Sequence, residues 1–217
     1  MRDNNFIIEN NAKHLWHPMG APGDSINNPP KVIKSANGSK ISDIDEQTTV
    51  DAVGGLWCVN LGYSNDVIKE AISEQLNDLP YYSGFAGTTN PAAIEASFMV
   101  KEMFKTDGME KVFFTSGGSD SVETCLRLSR QYHRLRGEPT RTKFISLKKG
   151  YHGTHFGGAS VNGNNRFRIA YEPLLPGCFH LPSPYTYRNP FHERDPQKLA
   201  INIAQAFEDE IAFQDKN

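Results

Sequence analysis

No apolar run in the chain approaches the ~20 residues that a membrane-spanning helix needs, and the amino terminus has no signal-peptide hydrophobic stretch. A soluble, cytoplasmic protein with no membrane partner is therefore expected. Cysteine is scarce. Cys58, Cys125 and Cys178 are too few and too scattered for a disulfide framework or a zinc knuckle, and are expected as buried or half-buried thiols in a reducing compartment. Neither sign of charge dominates: 23 basic against 25 acidic residues leave a net charge of −2, which gives a nucleic-acid surface no support. Repeats and low-complexity stretches are missing as well. What is present is an ordinary apolar share of 38% in 217 residues, enough for one sizeable core, or one core plus a small appendage.

Residues 1–30 are rich in Asn, Pro and Gly and read as an extended arm with one short apolar element near Leu15 and Trp16. Two β-prone runs, Lys31 to Lys34 and Lys40 to Ile44, flank Asn37-Gly38, a hairpin signal. From Ser64 the period becomes helical: Val67, Ile68, Ala71, Ile72, Leu76 and Leu79 share a face until Pro80. Asn90-Pro91 marks a second helix start. A βα unit follows, with a strand at Val112-Phe-Phe-Thr115, a turn at Ser116-Gly-Gly-Ser119, and a helix to about Arg136 with Gly137 beyond its end. The inner stripe of that helix reads as Val122, Cys125, Leu126, Tyr132 and Leu135. Another strand at Lys143-Phe-Ile-Ser-Leu147 leads to Gly150-Tyr-His-Gly153. Residues 157–195 read as irregular, and Asp195-Pro196 caps a last helix carrying Leu199, Ile203, Phe207 and Ile211. Strands alternating with helices predict an α/β fold with a mostly parallel sheet and helices on both faces, preceded by the arm and a small β-hairpin segment. The last amphipathic helix has no strand after it, so the domain reads as unfinished.

The turn at 116–119 is the first candidate site. Glycines let a backbone approach an anion closely, unpaired amides at a helix start are donors, and a serine hydroxyl adds another. Asp120-Ser-Val-Glu123 has capping-box spacing that would pin the helix start. The same residues also suit a plain strand-to-helix turn. There is no P-loop lysine and no full Gly-x-Gly-x-x-Gly pattern, which disfavours ATP and NAD and leaves a lone phosphate group open. Tyr151, between two glycines after a strand, suits a loop that presents its ring to a ligand. His152-Gly-Thr-His155 has a metal-like look, but no acidic residue stands near in sequence, so a loop histidine pair is expected and no metal. Arg166 and Arg168 suit either a carboxylate partner or plain solvation.

Six blocks then occur in order: Trp16-His-Pro-Met19, Gly55-Leu-Trp-Cys-Val-Asn-Leu-Gly-Tyr63, Leu79-Pro-Tyr-Tyr82, Thr88-Thr-Asn-Pro-Ala92, Phe113 to Glu123, and Gly150-Tyr-His-Gly153. Together they resemble the class III pyridoxal-phosphate (PLP) aminotransferases of the ω-amino acid/amine:pyruvate branch, from about residue 12 onward. The resemblance implies an incomplete PLP-transferase fold of type I, with residues 1–63 forming an arm and part of a small domain, and 64–217 the first part of a large, truncated domain. It implies pyridoxal 5'-phosphate as cofactor, held by Ser116, Gly117, Gly118 and Ser119 around the phosphate, with Tyr151 stacking on the ring and His152 and Gly153 beside it. It also implies a substrate pocket that includes Met19, Leu56, Trp57 and Phe85, although Trp57 and Phe85 equally suit a core. The serine and glycine at 116 and 117 stand where relatives usually carry Asn-Ser, which touches the side-chain phosphate contacts but not the backbone ones.

Transamination also needs a lysine that anchors the cofactor and moves the proton, and a carboxylate at the ring nitrogen. By the resemblance both are expected beyond residue 217, and neither Lys148 nor Lys149 is reassigned to the task. The implied activity is transfer of an amino group from an amine or ω-amino acid to a 2-oxo acid, pyruvate, in a homodimer with a shared active site. The chain by itself is expected to be inactive. The alternatives are a non-catalytic remnant that binds PLP or phosphate, or another PLP reaction such as an aminomutase, racemase or decarboxylase.

Overall fold

The computed structural model describes residues 2–214. The chain divides into two compact units, one up to Ala96 and one from Ser97, with the boundary inside a helix.

The first unit starts with α1 (Asn4–His14) and α2 (Pro22–Asn27), not with an extended arm. Asp3 caps α1 by accepting the Phe6 amide at 2.8 Å, and Pro22 stands in the first turn of α2. Neither helix carries a broad apolar stripe, so the sequence pattern hides them. The hairpin is present: β1 (Ile33–Asn37) pairs antiparallel with β2 (Lys40–Asp43), and β3 (Thr48–Val50) adds a third antiparallel strand. Asn37 pairs with Lys40, and Gly38 makes the bend with φ +56°, a conformation that suits glycine. Buried Asp43 ends β2, where it accepts the Gln47 and Asp45 amides and pairs with Lys31 at 2.9 Å.

A tight turn at Gly54–Trp57 (α3) precedes α4 (Asp66–Asp78), whose N-cap is Asn65, one residue after the expected start. The apolar face of α4 is open: Val67, Ile68, Ile72 and Leu76 are all exposed. Helix α5 (Pro91–Met103) begins as predicted, with Asn90 Oδ1 accepting the Ala93 amide at 2.9 Å.

In the second unit, residues 112–115 do not form the expected strand. A strand needs a ladder partner, and no backbone of the described residues pairs with this segment. Helix α6 (Gly118–Leu135) follows, ended by Arg136 and by Gly137 at φ +79°. Its predicted inner stripe is only partly covered. Val122 and Leu126 are half-buried, whereas Cys125, Tyr132 and Leu135 are exposed. Cys58 is exposed too, and only Cys178 is half-buried, where burial pushes its thiol pKa up.

Strand β4 (Phe144–Leu147) pairs in parallel with β5 (Cys178–Leu181), in a register that sets Ser146 beside His180 and Leu147 beside Leu181. Between them runs α7 (Phe156–Val161), so the stretch read as irregular holds a helix and a strand. Two short 3-10 turns at 165–167 and 169–171 complete it. Glycines at 157 and 158 conceal α7 in the sequence, but both are needed there. A Cβ on Gly157 would collide with the Glu123 carboxylate, and one on Gly158 would lie 2.6 Å from the His152 carbonyl oxygen. Helix α8 (Pro196–Phe213) starts as predicted: Asp195 accepts the amides of Gln197 at 2.9 Å and Lys198 at 3.0 Å. Both α7 and α8 pack on β5, and the buried apolar residues of this unit are Ala159, Val161, Leu181, Leu199 and Ile203.

Candidate functional site

Gly117 is the N-cap of α6, in extended conformation and without a side-chain cap. Among the described residues the amides of Gly118, Ser119 and Asp120 have no hydrogen-bond acceptor. A Cβ at Gly117 or Gly118 would meet nothing within 4 Å, so the approach to those amides is open. Three unpaired N–H groups at the positive end of an 18-residue helix dipole are a donor set of the kind that suits an anion.

The expected capping box does not form. Asp120 lies in the first turn of α6, where its Oδ2 accepts a close hydrogen bond from the Ser116 hydroxyl and its Oδ1 lies 3.3 Å from His155 Nδ1. His155 therefore does have an acidic partner, brought to it by the fold across 35 positions of sequence. Glu123 faces away from the helix start and accepts the Gly158 amide at 3.3 Å. Among the described residues no group of three metal-ligating side chains converges.

The loop carrying Tyr151 lies against this turn. Ser119 Oγ accepts the Thr154 amide at 3.2 Å, and a Cβ on Gly153 would sit 2.7 Å from Ser119 Oγ. Gly153 has φ +103°, which only glycine adopts readily. The Tyr151 ring is exposed and meets Phe167 edge-on, with centroids 4.9 Å apart. Ser119 and Gly153 are thus brought together, with Ser116 to Gly118 on one side and Tyr151 and His152 on the other.

One residue that no sequence pattern marked completes the arrangement. Asn162 is fully buried, and its carboxamide accepts the His152 amide and donates to the Gly153 carbonyl at 2.8 Å. A lone Asn in an Asn-rich loop carries no signal that could have singled it out. Arg168 is half-buried rather than solvated: it donates to Glu172 at 3.0 Å, and its Nη1 lies 3.1 Å from His180 Nδ1. Lys149 Nζ stands 3.7 Å over the Tyr185 ring.

The other predicted residues belong to the first unit. Met19, Leu56, Trp57 and Phe85 are all exposed. Gly54, Gly55, Leu56 and Trp57 have consecutive φ values of 59°, 60°, 65° and 68°, a left-handed turn that costs about 1–2 kcal/mol for each non-glycine member. Asp51 holds it together. Its carboxylate accepts the Val53 amide at 3.0 Å, the Gly55 amide at 2.7 Å and the Tyr63 hydroxyl at 2.6 Å. The Tyr63 hydroxyl and then the Gly55 amide hold the Asp51 carboxyl below the usual carboxylate range, and Asp51 in turn pushes the Tyr63 phenol up.

The family model for class-III aminotransferases matches residues 23–214. The chain belongs to the class III aminotransferase family. It is 35% identical over 173 residues to an omega-aminotransferase of Caulobacter vibrioides, covering 80% of this chain and 39% of that protein. A putrescine–pyruvate aminotransferase of Pseudomonas aeruginosa is 32% identical, covering 83% of this chain and 39% of its own length. Among solved structures, a PLP-bound amine transaminase from an uncultivated Pseudomonas species superposes with TM-score 0.88 at 43% identity, over 93% of this class III chain and 45% of its own. The α/β fold of this class III chain is that of these transaminases, and the chain spans about two fifths of the curated relatives' length.

Proposed function

We propose that this chain supplies the phosphate turn and the ring-stacking loop of a PLP-dependent transaminase that moves an amino group from an amine or ω-amino acid to pyruvate. The contact between Ser119 and the Gly153-Thr154 backbone carries the reading, because it sets the loop that bears Tyr151 against the open amides at the start of α6. The residues fit the coenzyme. The Gly118, Ser119 and Asp120 amides and the Ser119 hydroxyl would hold its phosphate, and Tyr151 would stack on its ring, with Ser116, Gly117, His152 and Gly153 forming the walls. When bound, PLP supplies an electron sink for the charge left at the substrate carbon after proton loss.

The protein's own part is orientation. Ser119 accepts the Thr154 amide and so keeps its hydroxyl hydrogen free to donate. Asp120 Oδ2 is engaged by the Ser116 hydroxyl and its Oδ1 lies beside His155 Nδ1, so both carboxylate oxygens are turned to partners within the protein. Met19, Leu56, Trp57 and Phe85 are proposed to line the substrate pocket, with the left-handed turn aiming Leu56 and Trp57 outward. Residues 1–63 are proposed to form a helical N-terminal segment, in place of the extended arm, and part of a small domain, and the rest the first part of the large domain, in a soluble cytoplasmic homodimer with a shared site. Transamination is favoured over an aminomutase, racemase or decarboxylase because the curated relatives named above are aminotransferases.

The test is to assay alanine formation from pyruvate and a panel of amines by the protein carrying this segment, and to reduce the PLP-loaded chain with borohydride before peptide mass analysis. Alanine formation, with no pyridoxyl group on Lys148 or Lys149, supports the reading. Amine turnover without alanine, or a pyridoxyl-lysine at either position, contradicts it.

A further inference from the structure

Asn162 terminates α7 and sits where three stretches of chain meet. Gly163, its neighbour, accepts the Lys149 amide at 2.9 Å and donates to the Gly150 carbonyl at 3.0 Å. A Cβ on Gly163 would overlap the Leu147 carbonyl, so the backbone passes directly against the end of β4. The two residues before Tyr151 are thereby held by the backbone of Gly163. The two residues after it are held by the Asn162 side chain, whose Oδ1 takes the His152 N–H and whose Nδ2 gives to the Gly153 C=O. Tyr151 is suspended between the two clamps, and the second one also fixes Gly153 against Ser119.

The side chain is fully buried, so neither of its bonds can be replaced by bulk water. It needs an acceptor and a donor side by side on a short planar group. A carboxamide has both, a carboxylate only acceptors, and a carboxylic acid both again. We propose that Asn162 is the positioning residue of the coenzyme-stacking loop: its carboxamide sets the backbone after Tyr151, and so the ring, relative to the phosphate turn at Ser119. The proposal rests on the reading of Tyr151 and Ser119 as coenzyme contacts.

Pyridoxamine 5'-phosphate is the suitable probe, because it has the ring and the phosphate but no aldehyde to react with surface lysines. Its affinity for the protein carrying this segment is measured by near-UV circular dichroism for wild type, Asn162→Asp and Asn162→Ser, each compared with wild type at the same pH. At about pH 8 the buried carboxylate of Asn162→Asp faces the Gly153 carbonyl and binding falls at least about tenfold. At about pH 5.5 the protonated acid donates to that carbonyl, and affinity returns to within about threefold of wild type. Asn162→Ser keeps one bond at most, binds more weakly than wild type and shows no recovery on acidification.

Wild-type affinity in Asn162→Asp at pH 8, or an equal deficit at both pH values with the far-UV spectrum unchanged, overturns the proposal. If Asn162→Asp does not fold, Asn162→Ser decides: wild-type affinity overturns the assignment, and a loss supports it. A wild-type protein carrying this segment that binds no probe removes the coenzyme reading itself, a result distinct from failure of the clamp.

Discussion

Gly153 lies so close to Ser119 that a Cβ placed on it would sit 2.7 Å from Oγ and 2.8 Å from Cα. This approach joins the start of α6 to the loop after β4. Gly153→Ala must push the two apart and also strain a backbone at φ +103°. Overpacking and strain together cost about 1–3 kcal/mol. Chemical denaturation should show that loss, and binding of pyridoxamine 5'-phosphate should weaken at least about tenfold.

Ser119→Ala removes the acceptor of the Thr154 amide and one donor to the proposed phosphate. A hydrogen bond to a charged group contributes about 1.5–3 kcal/mol, so affinity for the phosphorylated probe should fall about tenfold or more. Pyridoxamine, which lacks the phosphate, should bind equally weakly to both proteins. A parallel loss for both ligands would point to a displaced loop instead.

These two residues show what was legible. The glycines around Tyr151 are sequence signals because each serves a local need, a close approach to the Leu147 carbonyl at Gly150 and a positive φ at Gly153. The same holds for the helix starts at Asn90 and Asp195, where the cap is local chemistry. Features that depend on distant partners were not legible. Gly157 and Gly158 argue against a helix until Glu123 and the His152 carbonyl are seen beside them. Residues 112–115 have strand composition, but a strand exists only with a ladder. His155 found its acid, Asp120, through the fold and not through spacing.

Asp195 offers a test of that local chemistry. Asp195→Ala leaves the Gln197 and Lys198 amides without their cap and should destabilise the second unit by about 1 kcal/mol in denaturant unfolding.

Trp57 should behave in the opposite sense. It is 81% exposed and holds φ +68°, so the side chain contributes little packing while the backbone is strained. Trp57→Gly should raise stability by up to about 1 kcal/mol in thermal or denaturant melts. If Trp57 lines the substrate pocket, the same change widens the range of amines accepted by the protein carrying this segment.

His180 makes stability depend on pH. Burial first, and then the Arg168 guanidinium, hold its pKa below the ordinary value of 6.5. The Ser160, Val161 and Asn162 carbonyls on α7 and its end act against them. The folded state therefore takes up the proton less readily than the unfolded one. Its stabilising effect is complete above 6.5 and is lost as pH falls from there through the folded value. Denaturant midpoints measured across this window should fall for wild type, and less steeply for His180→Gln.

The most direct measurement is a crystal structure of the protein carrying this segment with pyridoxal phosphate bound. The phosphate should accept the Gly118, Ser119 and Asp120 amides while the ring lies against Tyr151. A coenzyme bound elsewhere, or a phosphate on those amides with the ring turned away from Tyr151, would contradict the account.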